Sequence, residues 1–298
     1  MKVGVVYGGM SPEASISVKT KDSVVAALKR LGIKYEEIEL NSDIVKNIEK
    51  LSINIVFNAC HGLHGEDGRL PGMLDILKIP YTHSGSFASY IAMDKYSSYQ
   101  LASSLNIKVA DYEFVWDFKS LSDKAKKIMK EPFIIKPNMG GSSIGVYVFE
   151  DPDSFVVDEK YLMHGGVVVQ KFVKGHEVNV AIVNNKSVGV VQVDYKSNFF
   201  DYDAKYSSSD TIYRTNSDIS SQEKKLISEA AEKFHNFIGA NNIARTEFIV
   251  NKGDYYFLET NTHPGLTDRS LIPLAARDNQ IDFDDIVKSL LDSAKYYE

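Results

Sequence analysis

The sequence predicts a mixed α/β and α+β protein of three domains, with an open parallel sheet at the N-terminus and antiparallel strands after it. Three observations predict this. Short apolar runs at 2–7, 35–40 and 53–58 alternate with helical stretches, the rhythm of a parallel sheet. Near Met93-Asp94-Lys95 that rhythm gives way to closely spaced strands and a glycine-rich loop. From Glu177 the strands lengthen and pair through short turns. The expected boundaries are 1–93, 94–176 and 177–298.

Residues 2–7 end at Gly8-Gly9, and a helical pattern over 15–31 carries Val18, Val25, Leu28 and Leu31. This is a β-loop-α start, so ligands belong beyond its strand ends. A helical segment from about 93 to 105 precedes strands at 112–116 and 133–136, the loop 137–143, and strands at 145–149 and 166–173. The spacing then predicts a hairpin from 178–183 and 186–195, turning at Asn184-Asn185. Residues 196–218 are polar, rich in Ser and Tyr, and read as a long loop of the kind that serves as a lid. Ser220 and Glu223 form a capping box for a helix to about 239, with Leu226, Ala230, Phe234 and Phe237 along its buried side. A second hairpin and two helices, 267–277 and 283–297, complete the chain.

Bulk properties narrow the function. Apolar residues make up 44% and charged residues 25% of the 298, ordinary globular values. No run approaches the roughly 18 apolar residues of a membrane span, and the N-terminus lacks a signal-peptide pattern, which reads as cytoplasmic. The single cysteine, Cys60, excludes an internal disulfide and a multi-cysteine zinc site, and at a strand end it reads as a buried structural thiol. A net charge of −6 argues against a general nucleic-acid binder. Small molecules are the expected partners.

The second hairpin carries the most chemistry. Arg245 and Glu247 on one strand face Glu259 and Asn261 on the other, across the turn Asn251-Lys252-Gly253-Asp254. With a three-residue loop and Gly253 left-handed, the pairing sum is even and all four side chains share a face; a two-residue loop would break this. Two facing carboxylates repel unless a proton or cation lies between them, and two acids with an amide suit Mg²⁺ or Mn²⁺. A solvated face of mixed charge is the plain alternative, and the hairpin alone leaves both open.

Other loops add candidates. Gly140 to Gly145, just after Lys136, offers backbone N–H groups, hydroxyls and a cation to an anion, although it lacks the spacing of a P-loop. Gly8-Gly9 lacks the third glycine of a dinucleotide fingerprint. His61 to Gly68 follows a strand end, where substrate contact is favoured over a metal role for His61 and His64. Lys205-Tyr206 would let a mobile loop bring a cation and a phenol onto bound phosphate.

Taken in order, these pieces resemble the D-alanine–D-alanine ligases, a branch of the ATP-grasp carboxylate–amine ligases. The resemblance covers essentially the whole chain: Gly8-Gly9 with Ser11-x-Glu13, His61-Gly62 through Gly65-Glu66-Asp67-Gly68, Pro80-Tyr81-Thr82-x-Ser84-Gly85, Met93-Asp94-Lys95, Lys136-Pro137 with Gly141-Ser142-Ser143-x-Gly145, Tyr202 to Tyr206, and Glu259-x-Asn261-Thr262-x-Pro264-Gly265. It implies an ATP-grasp fold with ATP between the second and third domains. Lys95 and Lys136 would then serve the phosphates, Gln170 the adenine, Glu177 the ribose and Lys205 the γ-phosphate, with Ser143 and Lys171 also among the nucleotide-binding residues. Glu247, Glu259 and Asn261 would hold two Mg²⁺ ions, with Mn²⁺ an alternative. The implied reaction phosphorylates the carboxylate of one D-alanine and lets the amine of a second displace phosphate. Arg245 and the Gly265 N–H would stabilise the oxyanion, His61 would lie near the first substrate, and Ser270 and Leu271 would receive the second substrate's carboxylate. Tyr206 favours an amine over a hydroxyl as second nucleophile. The resemblance further implies a homodimer in a bacterial cytoplasm, making a dipeptide for peptidoglycan precursors.

Three departures from the family pattern stand out. Ser15 is read as replacing a glutamate that, through Ser142 and Tyr206, helps hold the first substrate's ammonium, with Glu13 able to substitute only if the loop turns differently; Gln170 stands for an acid at the adenine; and Glu247 stands for an aspartate. Two further readings arise: a related ligase with another acceptor, or a nucleotide- or amino-acid-binding regulator without turnover. Arg245, the complete metal triad and Lys205-Tyr206 speak against the regulator.

Overall fold

A computed structural model of the chain describes residues 1–117, 120–121, 125, 132–149, 165–195, 211–267 and 270–298. The N-terminal region contains β1 (Lys2–Tyr7), α1 (Ala14–Arg30), β2 (Lys34–Glu39), α2 (Ile44–Lys50) and β3 (Ile55–Asn58). The strands are parallel in the order β2-β1-β3. Val3, Val5 and Val6 are fully buried, as expected of a parallel strand covered on both faces. Three helices follow: α3 (Arg69–Ile76), α4 (Ser86–Met93) and α5 (Lys95–Ser104). Asp94 separates the last two. Its backbone is extended, and its carboxylate accepts the Ser97 N–H at 2.7 Å, ending one helix and capping the next.

A four-stranded antiparallel sheet comes next, in the order β4-β7-β5-β6: β4 (Tyr112–Val115), β5 (Phe133–Pro137), β6 (Tyr147–Phe149) and β7 (Val167–Lys171). The last sheet has five strands, β8 (His176–Val183), β9 (Lys186–Asp194), β10 (Ile212–Arg214), β11 (Ala244–Asn251) and β12 (Asp254–Asn261), antiparallel in the order β10-β9-β8-β11-β12. Helix α6 (Ser221–Phe237) starts at the expected capping box, with Ser220 and Glu223 exchanging both bonds. Helices α7 (Leu271–Asp278) and α8 (Phe283–Asp292) close the fold.

Each sheet comes from one stretch of sequence, whereas the cores do not. The first core joins Val5, Leu28 and Phe57 to Val191, Ile243 and Leu290. Burial of about 1.5–3 kcal/mol per large aliphatic or aromatic side chain therefore holds the parallel sheet to the C-terminal one. The chain end adds to this. The final helix, expected to reach 297, stops at Asp292, and the tail then runs as an edge segment in which Lys295 bridges Tyr81 and the Tyr297 N–H donates to Asp75 at 2.8 Å. Strand β10 lies inside the segment expected as loop, where Arg214 binds Asp194 at 2.6 Å and Asp218 at 2.6 Å. Among the described residues no helix is long and apolar enough to cross a membrane.

The second hairpin departs from expectation in an instructive way. Asn251 pairs with Asp254, so the loop is Lys252-Gly253 alone, two left-handed residues with φ of 50° and 89°. The pairing sum is odd near the turn, as in Phe248↔Phe257, and even beyond it, as in Glu247↔Glu259 and Arg245↔Asn261. Leu258 is the extra residue, a β-bulge. Tyr255, Phe257, Glu259 and Asn261 would all share one face of a regular strand. The bulge leaves Phe257 in the core with Phe248 and turns Glu259 and Asn261 to the other side.

Candidate active site

A cleft of about 450 Å³ opens between the four-stranded sheet and the five-stranded sheet, with Lys136, Gln170 and Lys171 on one wall and Glu177, Glu247 and Glu259 on the other. Ser143 of the loop after β5 also lines it. That loop is anchored through Asn138, whose side chain accepts the Tyr96 N–H at 2.8 Å and donates to Asp94 at 2.6 Å. The clamp fixes the start of α5 and therefore Lys95, which is 6% exposed. Lys95 Nζ donates to the Gly140 carbonyl at 2.7 Å and lies 3.5 Å from Glu259. Lys136 Nζ stands 5.6 Å from the centre of the Tyr99 ring, a cation–π distance. Tyr99 OH in turn donates to Gln170 Oε1 at 3.3 Å. Two cations thus converge at one end of the cleft, and a buried amide sits deeper.

Glu177 accepts the Tyr195 hydroxyl at 3.1 Å. Burial, then the nearby Glu177 charge, push the Tyr195 phenol well above its ordinary pKa, so it stays a donor. Across the hairpin Arg245 donates to Glu247 Oε1 through Nε at 3.1 Å and Nη2 at 2.6 Å. The Asn261 side-chain oxygen accepts the His263 N–H at 2.7 Å, which orients it. Among the described residues no three His, Cys, Asp or Glu side chains form a metal cluster. Here two acids and an amide bring oxygen donors to neighbouring positions on one sheet face, the donor chemistry of a hard divalent cation.

The other end of the site lies at the strand ends of the parallel sheet. Ser17 Oγ accepts the Gly8 N–H at 2.7 Å and donates to the Ala59 carbonyl at 2.8 Å, tying the loops after β1 and β3 to α1. His61 bonds Glu66 through Nδ1 at 2.9 Å and Thr20 through Nε2 at 2.8 Å, all of it buried. Next to it, burial and then Glu66 raise the Cys60 thiol pKa, which suits an inert thiol better than a nucleophile. The expectation for Ser15 is overturned. Ser15 is exposed on the first turn of α1, while Glu13 is buried and its carboxylate accepts the Ser142 hydroxyl. The chain turns into α1 directly after Glu13, with the Ser11 hydroxyl accepting the Glu13 N–H at 2.9 Å, so Glu13 points inward and Ser15 outward. Gly62 has a φ of 72°, which favours glycine, and a Cβ there would also meet the Glu13 carboxylate and the Ser11 hydroxyl. The structure thus brings the acid of the motif Ser11-x-Glu13, and not Ser15, to Ser142.

Gly265 lies close to Ser270, whose Oγ would stand 3.1 Å from a Cβ at Gly265. Ser270 stands at the N-cap position of α7 without a side-chain capping bond, its hydroxyl accepting the Thr267 N–H at 3.0 Å, and Leu271 buries its side chain in the first core, so its N–H at the helix start is what it can offer an anion. Between the two ends, His83 and His263 stack at 4.9 Å, and burial holds His83 down to about 3. Sequence reasoning missed this pair; Thr82-x-Ser84 brackets His83, but nothing local connects it to His263. Lys205 and Tyr206 lie outside the described residues.

The family model for the D-ala D-ala ligase C-terminus matches residues 101–292. Relatives named D-alanine–D-alanine ligase include that of Rickettsia bellii strain OSU 85-389, 36% identical over 99% of this chain and 92% of the relative. That of Thermotoga petrophila is 34% identical over 99% of this chain and 97% of its own. Among solved structures, the ATP complex of the Bacillus anthracis D-alanine–D-alanine ligase has a TM-score of 0.85 at 26% identity, covering 98% of this chain and 97% of that one.

Proposed function

The chain belongs to the D-alanine–D-alanine ligase family, and from that premise we propose how its own residues carry the reaction. It is an ATP-grasp ligase that joins two D-alanine molecules into D-alanyl-D-alanine, forming ADP and phosphate. ATP occupies the cleft between the two antiparallel sheets. Lys95 and Lys136 bind its phosphates with the Ser143 loop, Gln170 and Lys171 hold the base, and Glu177 receives the ribose. Gln170 presents an oxygen already fixed by Tyr99, so it accepts from adenine as an acid would.

Glu247, Glu259 and Asn261 hold magnesium, which when bound would neutralise charge on the transferring phosphoryl group. Glu247 serves here with one methylene more than an aspartate. Glu13 takes the ammonium of the first D-alanine, seated by Ser142 and close to the His61–Glu66 pair. The carboxylate of that substrate attacks the γ-phosphorus, which leaves an acyl phosphate and ADP. The amine of the second D-alanine, held by its carboxylate at Ser270 and the Leu271 N–H, adds to the acyl carbon. Arg245 and the Gly265 N–H stabilise the oxyanion, and phosphate leaves as the amide forms. Lys205 and Tyr206 complete the site from the 196–218 segment. The 1–93, 94–176 and 177–298 segments serve as its three domains. A homodimer in a bacterial cytoplasm, supplying peptidoglycan precursors, is the setting this reading favours.

The observation that carries the reading is the shared face of Arg245, Glu247, Glu259 and Asn261 beside two buried lysines. Phosphate release with ATP and Mg²⁺ tests it: release should require D-alanine, fail with L-alanine, and yield the dipeptide by mass spectrometry. Turnover independent of D-alanine would refute it. The corrected position makes a sharper case. Glu13→Gln should raise the KM for the first D-alanine by about 10-fold or more, the loss of a charge-assisted contact, while Ser15→Ala should leave kcat and KM unchanged. The reverse pattern would restore Ser15.

A further inference from the structure

Asn179, on β8, is 1% exposed, and neither its amide nitrogen nor its amide oxygen has a hydrogen-bond partner. Both atoms of one side chain unpaired in a sheet interior is a rare and costly arrangement. Its position is equally specific. Asn179 pairs in register with Glu247 on β11 and with Val191 on β9, so its side chain stands beside Glu247 on the face that carries the two acids. Two residues along the same face is Glu177, already occupied by Tyr195. The Glu247 oxygen Oε1 takes both Arg245 donors, and Val191 offers no polar atom.

We propose that Asn179 is a positioning residue of the cation site: its amide N–H holds the Glu247 carboxylate, and its amide oxygen accepts from a water on the divalent cation. This rests on the metal reading above. An amide supplies one donor and one acceptor in fixed relation, which matches a carboxylate flanked by a hydrated cation. The same property explains why the pair is unsatisfied by protein alone. Val191 offers nothing to it, and Arg245 takes only Oε1 of Glu247, which leaves Oε2 for the amide N–H when the carboxylate turns to a cation. A local rule broken next to the reacting centre, without a folding advantage, is the pattern of a functional residue.

The test separates this role from a structural one by asking for opposite signs. Asn179→Leu keeps approximate volume and removes both unpaired atoms. It should raise the melting temperature of the protein without ligands and weaken Mn²⁺ binding, followed by electron paramagnetic resonance in the presence of ADP, by about 10-fold or more. Asn179→Asp keeps the acceptor and adds a third negative charge; it should lower that melting temperature and hold Mn²⁺ at least as tightly as the parent. Unchanged Mn²⁺ affinity in Asn179→Leu would overturn the proposal, as would a fall in both melting temperatures, which would assign the amide to the fold. Glu259→Ala serves as control. If it loses Mn²⁺ while Asn179→Leu does not, only the role of Asn179 fails; if Glu259→Ala also keeps parental affinity, the metal reading fails.

Discussion

The two hairpins of the five-stranded sheet are built alike and used differently. Both turn through two left-handed residues, Asn184-Asn185 in the first and Lys252-Gly253 in the second. Each contains one bulge. In the first it falls near the turn, where Ala181↔Gly189 gives way to Ile182↔Ser187 and Val188 is the extra residue. There it turns Val188 and Gly189 toward α7, with Gly189 at φ 153° and a Cβ there 3.4 Å from Ala275. In the second it falls mid-strand, at the border between the Phe248–Phe257 core and the Glu247–Glu259 pair. One bulge makes room for a helix; the other moves an acid out of the core. A backbone irregularity therefore has no function of its own, and the residues on its far side decide its use.

The largest effect should come from removing the irregularity itself. Deletion of Leu258 would drive Glu259 and Asn261 toward the apolar side, where an ionised carboxylate is intolerable, so the variant should lose all D-alanine-dependent phosphate release and most of its cooperative unfolding. Deletion of Val188 should disturb only the turn end of β9, lowering stability by roughly 1–3 kcal/mol, the range of an ordinary destabilising change, while folded protein keeps its Mn²⁺ affinity. Equal loss of activity in both deletions would erase the contrast. Gly189→Val should cost about 1–3 kcal/mol through its backbone conformation, read from denaturant midpoints, with no change in the KM for ATP.

The smallest effect is a difference in acid sensitivity. The first turn is braced by His235 of α6, whose Nε2 meets Asn185 Oδ1 at 2.9 Å while its Nδ1 has no partner. Burial lowers its pKa from 6.5 to about 4. Between those values the unfolded chain binds the proton and the folded one does not, so this contribution is complete above pH 6.5. It falls as pH drops toward 4, by up to about 1.4 kcal/mol per pH unit. With the intrinsic pH dependence of hydrogen exchange divided out, the protection factors of Asn184-Asn185 should fall over that range, and His235→Gln should flatten the response. The Lys252-Gly253 turn is held instead by Glu223, which accepts the Gly253 N–H at 2.9 Å, and an equal fall in protection there would show that acid acts globally.

Much of the fold is legible in the sequence. Both turns, the capping box at Ser220 and the shared face of the two acids follow from turn residues and alternation. A three-residue loop was the wrong route to that shared face, because Tyr255, Phe257, Glu259 and Asn261 show unbroken alternation and no residue type marks a bulge. Glu13 is legible as a motif residue and as a substitute for the acid if the loop turns differently, but which of Glu13 and Ser15 points inward depends on where α1 begins. Contacts between distant segments were not legible: the His83–His263 stack and the Lys295–Tyr81 bridge depend on packing of the parallel sheet against the C-terminal one.

The bulge at Leu258 also gives β12 a reading frame. Phe257, fixed in the core, starts the frame, and Glu259 is read two positions later as the first residue of the opposite face. Length changes at Lys252-Gly253 fall before the frame begins and leave it intact. A gain or loss of one residue between Phe257 and Glu259 shifts every later side chain by half a period. Aligned relatives should therefore vary freely in length at that turn and never at position 258.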